Sequence, residues 1–233
     1  MNKTVFITGT SKGIGNQIAK DLVAKGYKVV AFDRTAENKA ERSWTSIACD
    51  LAKIDQLDIA FMKAITNFGV PYALINNAGT YQAKTWEHQT AEDFDMTVAI
   101  NSKAPFLLSK LFAKTLIEAK QPGVIVNISS VSATVGSIDV AYAASKAALG
   151  MVSKSMAKAL APFGIRVVTV SPGPVETDMG ARIPEERKKS YKEQIPLKRF
   201  AQPREISEMV SFLLSEGASY MTGTEVRIDG GLI

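Results

Sequence analysis

Short β-rich runs alternate with longer helical stretches along the whole 233-residue chain, and few folds tolerate that alternation. Strand patterns fall at residues 4–8, 28–32, 45–48, 73–76, 124–129, 166–171 and 224–228. Helical patterns lie between them, near 13–25, 57–68, 94–119, 142–161 and 204–214. Several strand runs, Val124-Ile125-Val126 among them, are continuously apolar, as befits strands covered on both faces. Strand–helix–strand repetition of this kind predicts an α/β fold, a doubly wound parallel sheet of about seven strands with helices on both faces. No Gly/Ser/Pro-rich linker and no internal repeat interrupts it, so residues 1–233 read as one domain.

Thr8-Gly9-Thr10-Ser11-Lys12-Gly13-Ile14-Gly15 follows the first strand and opens the first helix. Gly9 permits a tight turn, Gly13 lets the backbone approach a phosphate, and Gly15 lets helix and strand pack closely. The helix N-terminus adds free N–H groups and partial positive charge, which suit a pyrophosphate. The spacing, G-x-x-x-G-x-G, is not the commoner G-x-G-x-x-G, but its place in a βαβ unit predicts a Rossmann-type dinucleotide site. Asp33 ends the second strand, where a carboxylate accepts ribose hydroxyls and repels a 2′-phosphate. Lys12 and Arg34 pull the other way, since either base pairs readily with that phosphate. The balance favours NAD, with NADP as the alternative, because a misplaced acid costs more than a mobile base gains. Asp50, after the third strand, is placed to meet the adenine edge.

Gly9-Thr10-Ser11-Lys12-Gly13 also matches G-x-S-x-G, the nucleophile elbow of serine hydrolases. That chemistry needs a histidine base, and the single histidine, His88, sits in the polar stretch Trp86-Glu87-His88-Gln89-Thr90. The elbow also follows several strands in hydrolases, not the first. The hydrolase reading is therefore set aside, and His88 reads as a surface residue.

Composition narrows the partners. The excess of basic residues is 28 − 23 = +5, but the lysines are interleaved with acids and even Arg187-Lys188-Lys189 follows Glu185-Glu186. This is a solvated surface and no nucleic-acid patch is expected. Cys49 is the only cysteine, which excludes an intramolecular disulfide framework and a Cys-rich metal site, and no metal is expected. No apolar run approaches the roughly 20 residues that span a bilayer, so no membrane partner is expected. The first strand pattern begins almost at Met1, leaving no room for a targeting peptide, and a cytoplasmic location is expected. The polar segment 172–203, rich in proline (Pro172, Pro174, Pro184, Pro196 and Pro203), breaks the rhythm after a strand's carboxyl end. Substrate loops occupy that place in open α/β sheets.

Tyr142-Ala143-Ala144-Ser145-Lys146 opens a helical stretch, and residues four apart share one helix face. An ammonium beside a phenol favours phenolate and lowers the tyrosine pKa from about 10. Tyr142 is thereby a candidate general base for an alcohol, or acid for a carbonyl.

Together with Thr8–Gly15, Asn76-Asn77-Ala78-Gly79, Ile128-Ser129-Ser130 and Pro172-Gly173, the Tyr-x-x-x-Lys pair resembles the short-chain dehydrogenase/reductase family. The resemblance runs to Tyr220-Met221-Thr222-Gly223 and Asp229-Gly230-Gly231, essentially the full length. It implies that Tyr142 is the catalytic acid/base and that Lys146 holds the nicotinamide ribose while lowering the tyrosine pKa. It implies that Asn101 supports a water-linked proton path and that a serine orients the substrate oxygen. Counting back from Tyr142 lands on Ser129, whereas the local pattern Asn-Ile-Ser-Ser-Val aligns Ser130, which is preferred. The resemblance gives cofactor contacts to Gly9, Ser11, Lys12, Gly13, Ile14, Gly15, Asp33, Arg34, Asp50 and Leu51. It adds Asn77, Ala78 and Gly79 on the adenosine side and Pro172, Gly173, Val175 and Thr177 on the nicotinamide side, with Tyr142 and Lys146.

The implied activity is hydride transfer between nicotinamide and a carbinol carbon without a metal. The leading reading is an NAD-dependent oxidoreductase of a small secondary alcohol or ketone, similar to the branch that oxidises cyclic dihydrodiols. The stretch Ile195-Pro196-Leu197-Lys198-Arg199-Phe200 resembles the 3-oxoacyl-carrier-protein reductase branch, which makes an NADPH-dependent reductase the alternative. Against it, Gln121 and Phe163 stand where that branch often docks its acidic carrier through arginines. A cofactor-binding regulator without turnover is a third, weaker reading, since Asn101, Ser130, Tyr142 and Lys146 are all present. The family also implies pairing of the 94–119 and 142–161 helices across subunits, and hence a homotetramer.

Overall fold

The computed structural model describes residues 3–35, 43–181, 183 and 185–233. Seven strands, β1 (Thr4–Thr8), β2 (Lys28–Asp33), β3 (Trp44–Ala48), β4 (Ala73–Asn76), β5 (Gly123–Ile128), β6 (Ile165–Pro172) and β7 (Glu225–Ile228), form one sheet. Its order is β3-β2-β1-β4-β5-β6-β7, and every neighbouring pair is parallel. The connecting helices are α1 (Gly13–Ala24), α2 (Leu57–Phe68), α3 (Ala91–Val98), α4 (Ala104–Ala119), α5 (Ser132–Val135), α6 (Val140–Leu160), α7 (Asp178–Ala181), α8 (Glu185–Gln194) and α9 (Pro203–Leu213).

Alternation along each strand divides the core in two. Val5 and Ile7 turn to one face with Ile18 and Leu22 of α1 and Ile206 and Val210 of α9. Phe6 turns to the other, with Phe61 of α2, Phe112 of α4 and Leu160 of α6. On that second face Phe6 meets Phe32 and Phe61 edge-on at ring separations of 5.5 and 5.6 Å, a geometry aromatic quadrupoles favour. The order in which the chain adds strands reverses at β1, whose parallel neighbours are β2 on one side and β4 on the other. Crevices at such switch points, outside the carboxyl ends of the strands, are where open α/β sheets bind ligands.

Two departures from the sequence reading concern the site. The helix expected over 94–119 is not continuous: α3 and α4 are separated by a π-helical turn, Ala99–Lys103. Pro105 has no N–H for the carbonyl four residues back, so a regular ladder cannot pass Asn101. The segment 172–203, expected as a substrate loop, contains the helices α7 and α8 and buries Ile195 and Phe200. Pro184 lies outside the described residues.

Candidate active site

The turn between β1 and α1 needs glycine for steric reasons visible in the structure. Gly9 has φ +74°, and a Cβ there would lie 2.9 Å from Cα of Ala78. A Cβ on Gly15 would collide with the Gly9 carbonyl oxygen and the Asn77 amide. Asn77 donates to the carbonyls of Thr8 and Gly9, and Thr8 Oγ1 accepts from the N–H groups of Asn77 and Ala78. The ends of β1 and β4 are thus stitched together around the turn. Among the described residues, only the Thr177 side chain lies within 4 Å of where a Cβ on Gly13 would sit, at 3.4 Å. Lys12, the residue before α1, makes no side-chain cap, and the first turn of α1 holds no acid. An uncapped helix end over an open glycine turn fits the pyrophosphate of a dinucleotide.

Asp33 is buried at the end of β2. Oδ1 accepts from the Thr10 N–H and Oδ2 from the Thr10 hydroxyl, each at 2.6 Å, with the Ser46 hydroxyl at 3.4 Å from Oδ2. Lys12, which the sequence offered as a free base for a 2′-phosphate, instead pairs with Asp178 of α7 at 2.9 Å. Arg34 is exposed beside Asp33. Asp50 accepts from the Ala52 N–H, and the Leu51 side chain joins the core, so Leu51 offers a ligand only its backbone.

Below this crevice, α6 carries Tyr142 and Lys146 on one face. Its N-cap is Asp139, wholly buried, whose Oδ1 accepts from the Tyr142 N–H at 3.0 Å. The same carboxylate accepts from Gln82 N–H, Ala83 N–H and Gln89 Nε2, which ties the 80–90 segment to the start of α6. Ala83 is held with φ +60°, a conformation that such over-determination sustains. Lys146 is buried and donates from Nζ to the Ile128 carbonyl at 2.8 Å. Asn101, on the π turn, accepts from Thr80 N–H at 2.8 Å and donates to the Thr80 carbonyl and Ser145 Oγ, each at 3.0 Å. A Cβ on Gly79 would lie 3.3 Å from both Asn101 Oδ1 and Lys146 Nζ, so Gly79 leaves room where the two converge.

The two serines at the end of β5 part company. Ser129 Oγ is turned inward and donates to the Lys146 carbonyl at 3.0 Å. Ser130 lines the same cavity as Tyr142 and hydrogen-bonds its phenol.

The electrostatics correct one expectation. Burial pushes the Tyr142 phenol up to about 12, against the lowering effect of the Ser130 hydrogen bond. Lys146 lies 5.8 Å from the centre of the tyrosine ring, with its ammonium turned to the Ile128 carbonyl. It is not what sets the phenol's pKa in this structure, and its own falls to about 8 because burial disfavours the charged form. Desolvation outweighs the helix-face attraction on which the sequence argument rested.

On the opposite wall, Pro172 ends β6 and accepts from the Val131 N–H. A Cβ on Gly173 would lie 2.9 Å from Cα of Asp229. Val175 is buried, and Thr177 Oγ1 accepts from the Gly180 N–H. Gly173, Val175 and Thr177 line a cavity of about 140 Å³ with Ser130 and Tyr142. His88 is exposed beside Thr85, in the surface setting expected for it. Among the described residues, no helix is long and apolar enough to cross a membrane.

A family model described as enoyl-(acyl carrier protein) reductase matches residues 9–233. The chain belongs to the short-chain dehydrogenase/reductase family. It is similar to the 3-oxoacyl-(acyl-carrier-protein) reductase of Aquifex aeolicus, with 35% identity over 99% of this chain and 97% of the relative. It is similar at 35% identity to L-xylulose reductase of Caenorhabditis elegans, over 99% of this chain and 95% of the relative. Among solved structures it resembles 4-hydroxyisoleucine dehydrogenase complexed with NADH, at 30% identity and a TM-score of 0.94, covering 99% of this chain and 98% of the other. A 3-ketoacyl-(acyl-carrier-protein) reductase from Brucella melitensis complexed with NADH is similar at 30% identity and a TM-score of 0.89, with the same coverage. The protein is thus a short-chain dehydrogenase/reductase, an oxidoreductase of CH–OH groups with a Rossmann-type NAD(P) fold.

Three residues at this candidate site of the short-chain dehydrogenase/reductase escaped the sequence reading. Asp139 was legible as an N-cap, since aspartate three residues ahead of Tyr142 suits a helix start. Thr10, inside the glycine turn, and Arg187, on the cavity wall, carry no local signal; only the fold brings them to Asp33 and Tyr142 respectively.

Proposed function

We propose that the protein is an NAD-dependent oxidoreductase interconverting a small secondary alcohol and its ketone on a single domain. Asp33 carries this reading: a buried carboxylate at the end of β2 disfavours a third phosphate group at the adenine ribose. The NADH-complexed structures named above lend support. When bound, the nicotinamide supplies the hydride acceptor or donor.

The chain's own residues supply the rest. Ser130 hydrogen-bonds the substrate oxygen beside Tyr142, which gives a proton to it in reduction and takes one in oxidation. With the phenol pushed up to about 12, Tyr142 is protonated at neutral pH, the form that ketone reduction uses. Lys146 and Asn101, converging at Gly79, hold the cofactor ribose and connect the proton to solvent. Pro172, Gly173, Val175 and Thr177 position the nicotinamide, and Gly9, Ser11, Gly13, Ile14 and Gly15 the phosphates.

A second reading, an NADPH-dependent 3-oxoacyl-carrier-protein reductase, is favoured by the name of the Aquifex aeolicus relative and by exposed Arg34. Gln121 and exposed Phe163 near the ends of α4 and α6 weigh against it, because neither offers a cation to an acidic carrier. Parallel titration with NADH and NADPH, followed by cofactor fluorescence, decides the cofactor, and comparing turnover of an acyl thioester with turnover of small secondary alcohols decides the substrate class. Tighter binding of NADH supports the first reading and tighter binding of NADPH the second. Tyr142→Phe is expected to abolish turnover and retain cofactor binding; full turnover by this variant would refute both.

The homotetramer is part of the proposal. Phe94, Met96, Phe106 and Met151 are exposed on α3, α4 and α6, and pairing of these helices between subunits would cover them. Sedimentation equilibrium at micromolar concentration checks the stoichiometry.

A further inference from the structure

The cavity beside Tyr142 has walls that are almost entirely neutral, with Val131, Val135, Met179 and Ile183 among them. Among its described lining residues the one charged side chain is Arg187, on α8. Arg187 is half-buried, with its guanidinium carbon 5.5 Å from the centre of the Tyr191 ring. Its charge reaches Tyr81, where it favours the phenolate against a larger opposing effect of burial. Tyr81 in turn meets Tyr142 edge-on, with ring centres 5.2 Å apart. One guanidinium therefore shares the cavity with the proposed proton-transfer group. Among the described residues it has no ion-pair partner, since Glu185 of the same helix is taken by Lys188. A partly desolvated guanidinium in a neutral pocket gains most from an anion that enters with the substrate.

We propose that Arg187 selects a substrate bearing a carboxylate, so that the natural substrate is a small hydroxy acid or the corresponding oxo acid. This rests on the reading of Tyr142 and Ser130 as the groups that meet the carbinol oxygen. The carbinol carbon lies at that end of the cavity and the carboxylate at Arg187, whose planar fork matches it. A phosphate ester fits less well. The cavity's described lining supplies one cation, and α8 opens with Glu185 and Glu186, which repel a dianion.

The test separates this inference from the redox reading by using probes that do not react. The protein, saturated with whichever reduced cofactor it binds more tightly, is titrated with butanoate, butanamide and inorganic phosphate, following cofactor fluorescence. Wild type is expected to bind butanoate about 10- to 100-fold more tightly than butanamide, the range for a hydrogen bond to a charged partner. Arg187→Gln is expected to bring that ratio near one, and Arg187→Lys to restore part of it. Butanoate binding no tighter than butanamide in wild type, absent binding included, overturns the proposal. So does an unchanged ratio in Arg187→Gln, or phosphate binding tighter than butanoate and lost with Arg187. The oxidoreductase reading stands or falls separately, on turnover by Tyr142→Phe.

Discussion

Asp33 and Thr10, 23 residues apart, are joined by two hydrogen bonds of 2.6 Å, one from the Thr10 N–H and one from its hydroxyl. The acid proposed to read the ribose therefore also braces the glycine turn that would receive the phosphates. A carboxylate has about four acceptor positions, so the brace leaves capacity for a ribose hydroxyl. Thr10→Val keeps the backbone bond and removes the hydroxyl donor from a buried charge. It is expected to cost about 1.5–3 kcal/mol in urea unfolding and to weaken cofactor binding, measured by fluorescence titration.

Ser129 and Ser130 are neighbours with separable effects. Ser129→Ala removes an interior bond to the Lys146 carbonyl, so about 1 kcal/mol of stability is expected to go while most turnover remains. Ser130→Ala is expected to lower kcat/KM by at least about 10²-fold with little change in unfolding free energy. Unfolding curves and steady-state kinetics on the two variants check the split.

Asp139 gathers four donors at the start of α6. Asp139→Ala leaves those donors without their acceptor and is expected to cost about 3 kcal/mol or more. Turnover should fall with it, because the Tyr142 backbone loses its anchor. Asp139→Asn, which keeps one side-chain acceptor oxygen, should recover part of both. Denaturant unfolding monitored beside kcat tests the ordering.

Lys146 sets a pH signature. Its pKa falls from an ordinary 10.5 to about 8 in the folded protein, so the unfolded chain holds that proton more tightly between the two values. Below about pH 8 the full penalty weighs on the fold, and stability rises as pH climbs from about 8 to 10.5. Tyr142 acts oppositely: its folded-state pKa is raised from 10.0 to about 12, so the stability it contributes is present below pH 10 and lost between 10 and 12. Comparing wild type with Lys146→Met at pH 7.5 and 9.5 isolates the lysine. The stability difference is expected to move in favour of wild type at the higher pH, by one to a few kcal/mol.

Much of the architecture was legible because periodicity reports burial directly. All seven strands and helices α1, α2, α6 and α9 lie within a few residues of their sequence-derived positions, and the parallel sheet follows from apolar runs covered on both faces. The glycine turn was legible from its place between a strand and a helix, where positive φ at 9 and 13 and close packing at 9 and 15 favour glycine. The π turn at Ala99–Lys103 was not read, although Pro105 marked the place, because a helical pattern continues through it.

Sequence by itself determined which residues are candidates for the chemistry and on which elements they ride: Tyr142 and Lys146 on one helix face, Asp33 at a strand end, and two adjacent serines after β5. Tertiary structure alone decided what each one faces. It turned Ser129 inward and Ser130 to the cavity, engaged Lys12 with Asp178, and bound Asp33 to Thr10. It also let burial override the Tyr142–Lys146 attraction and brought Arg187 to the cavity wall. The physical reason is that hydrogen-bond partners and dielectric surroundings come from residues distant in the chain, and spacing along one helix or strand carries no record of them.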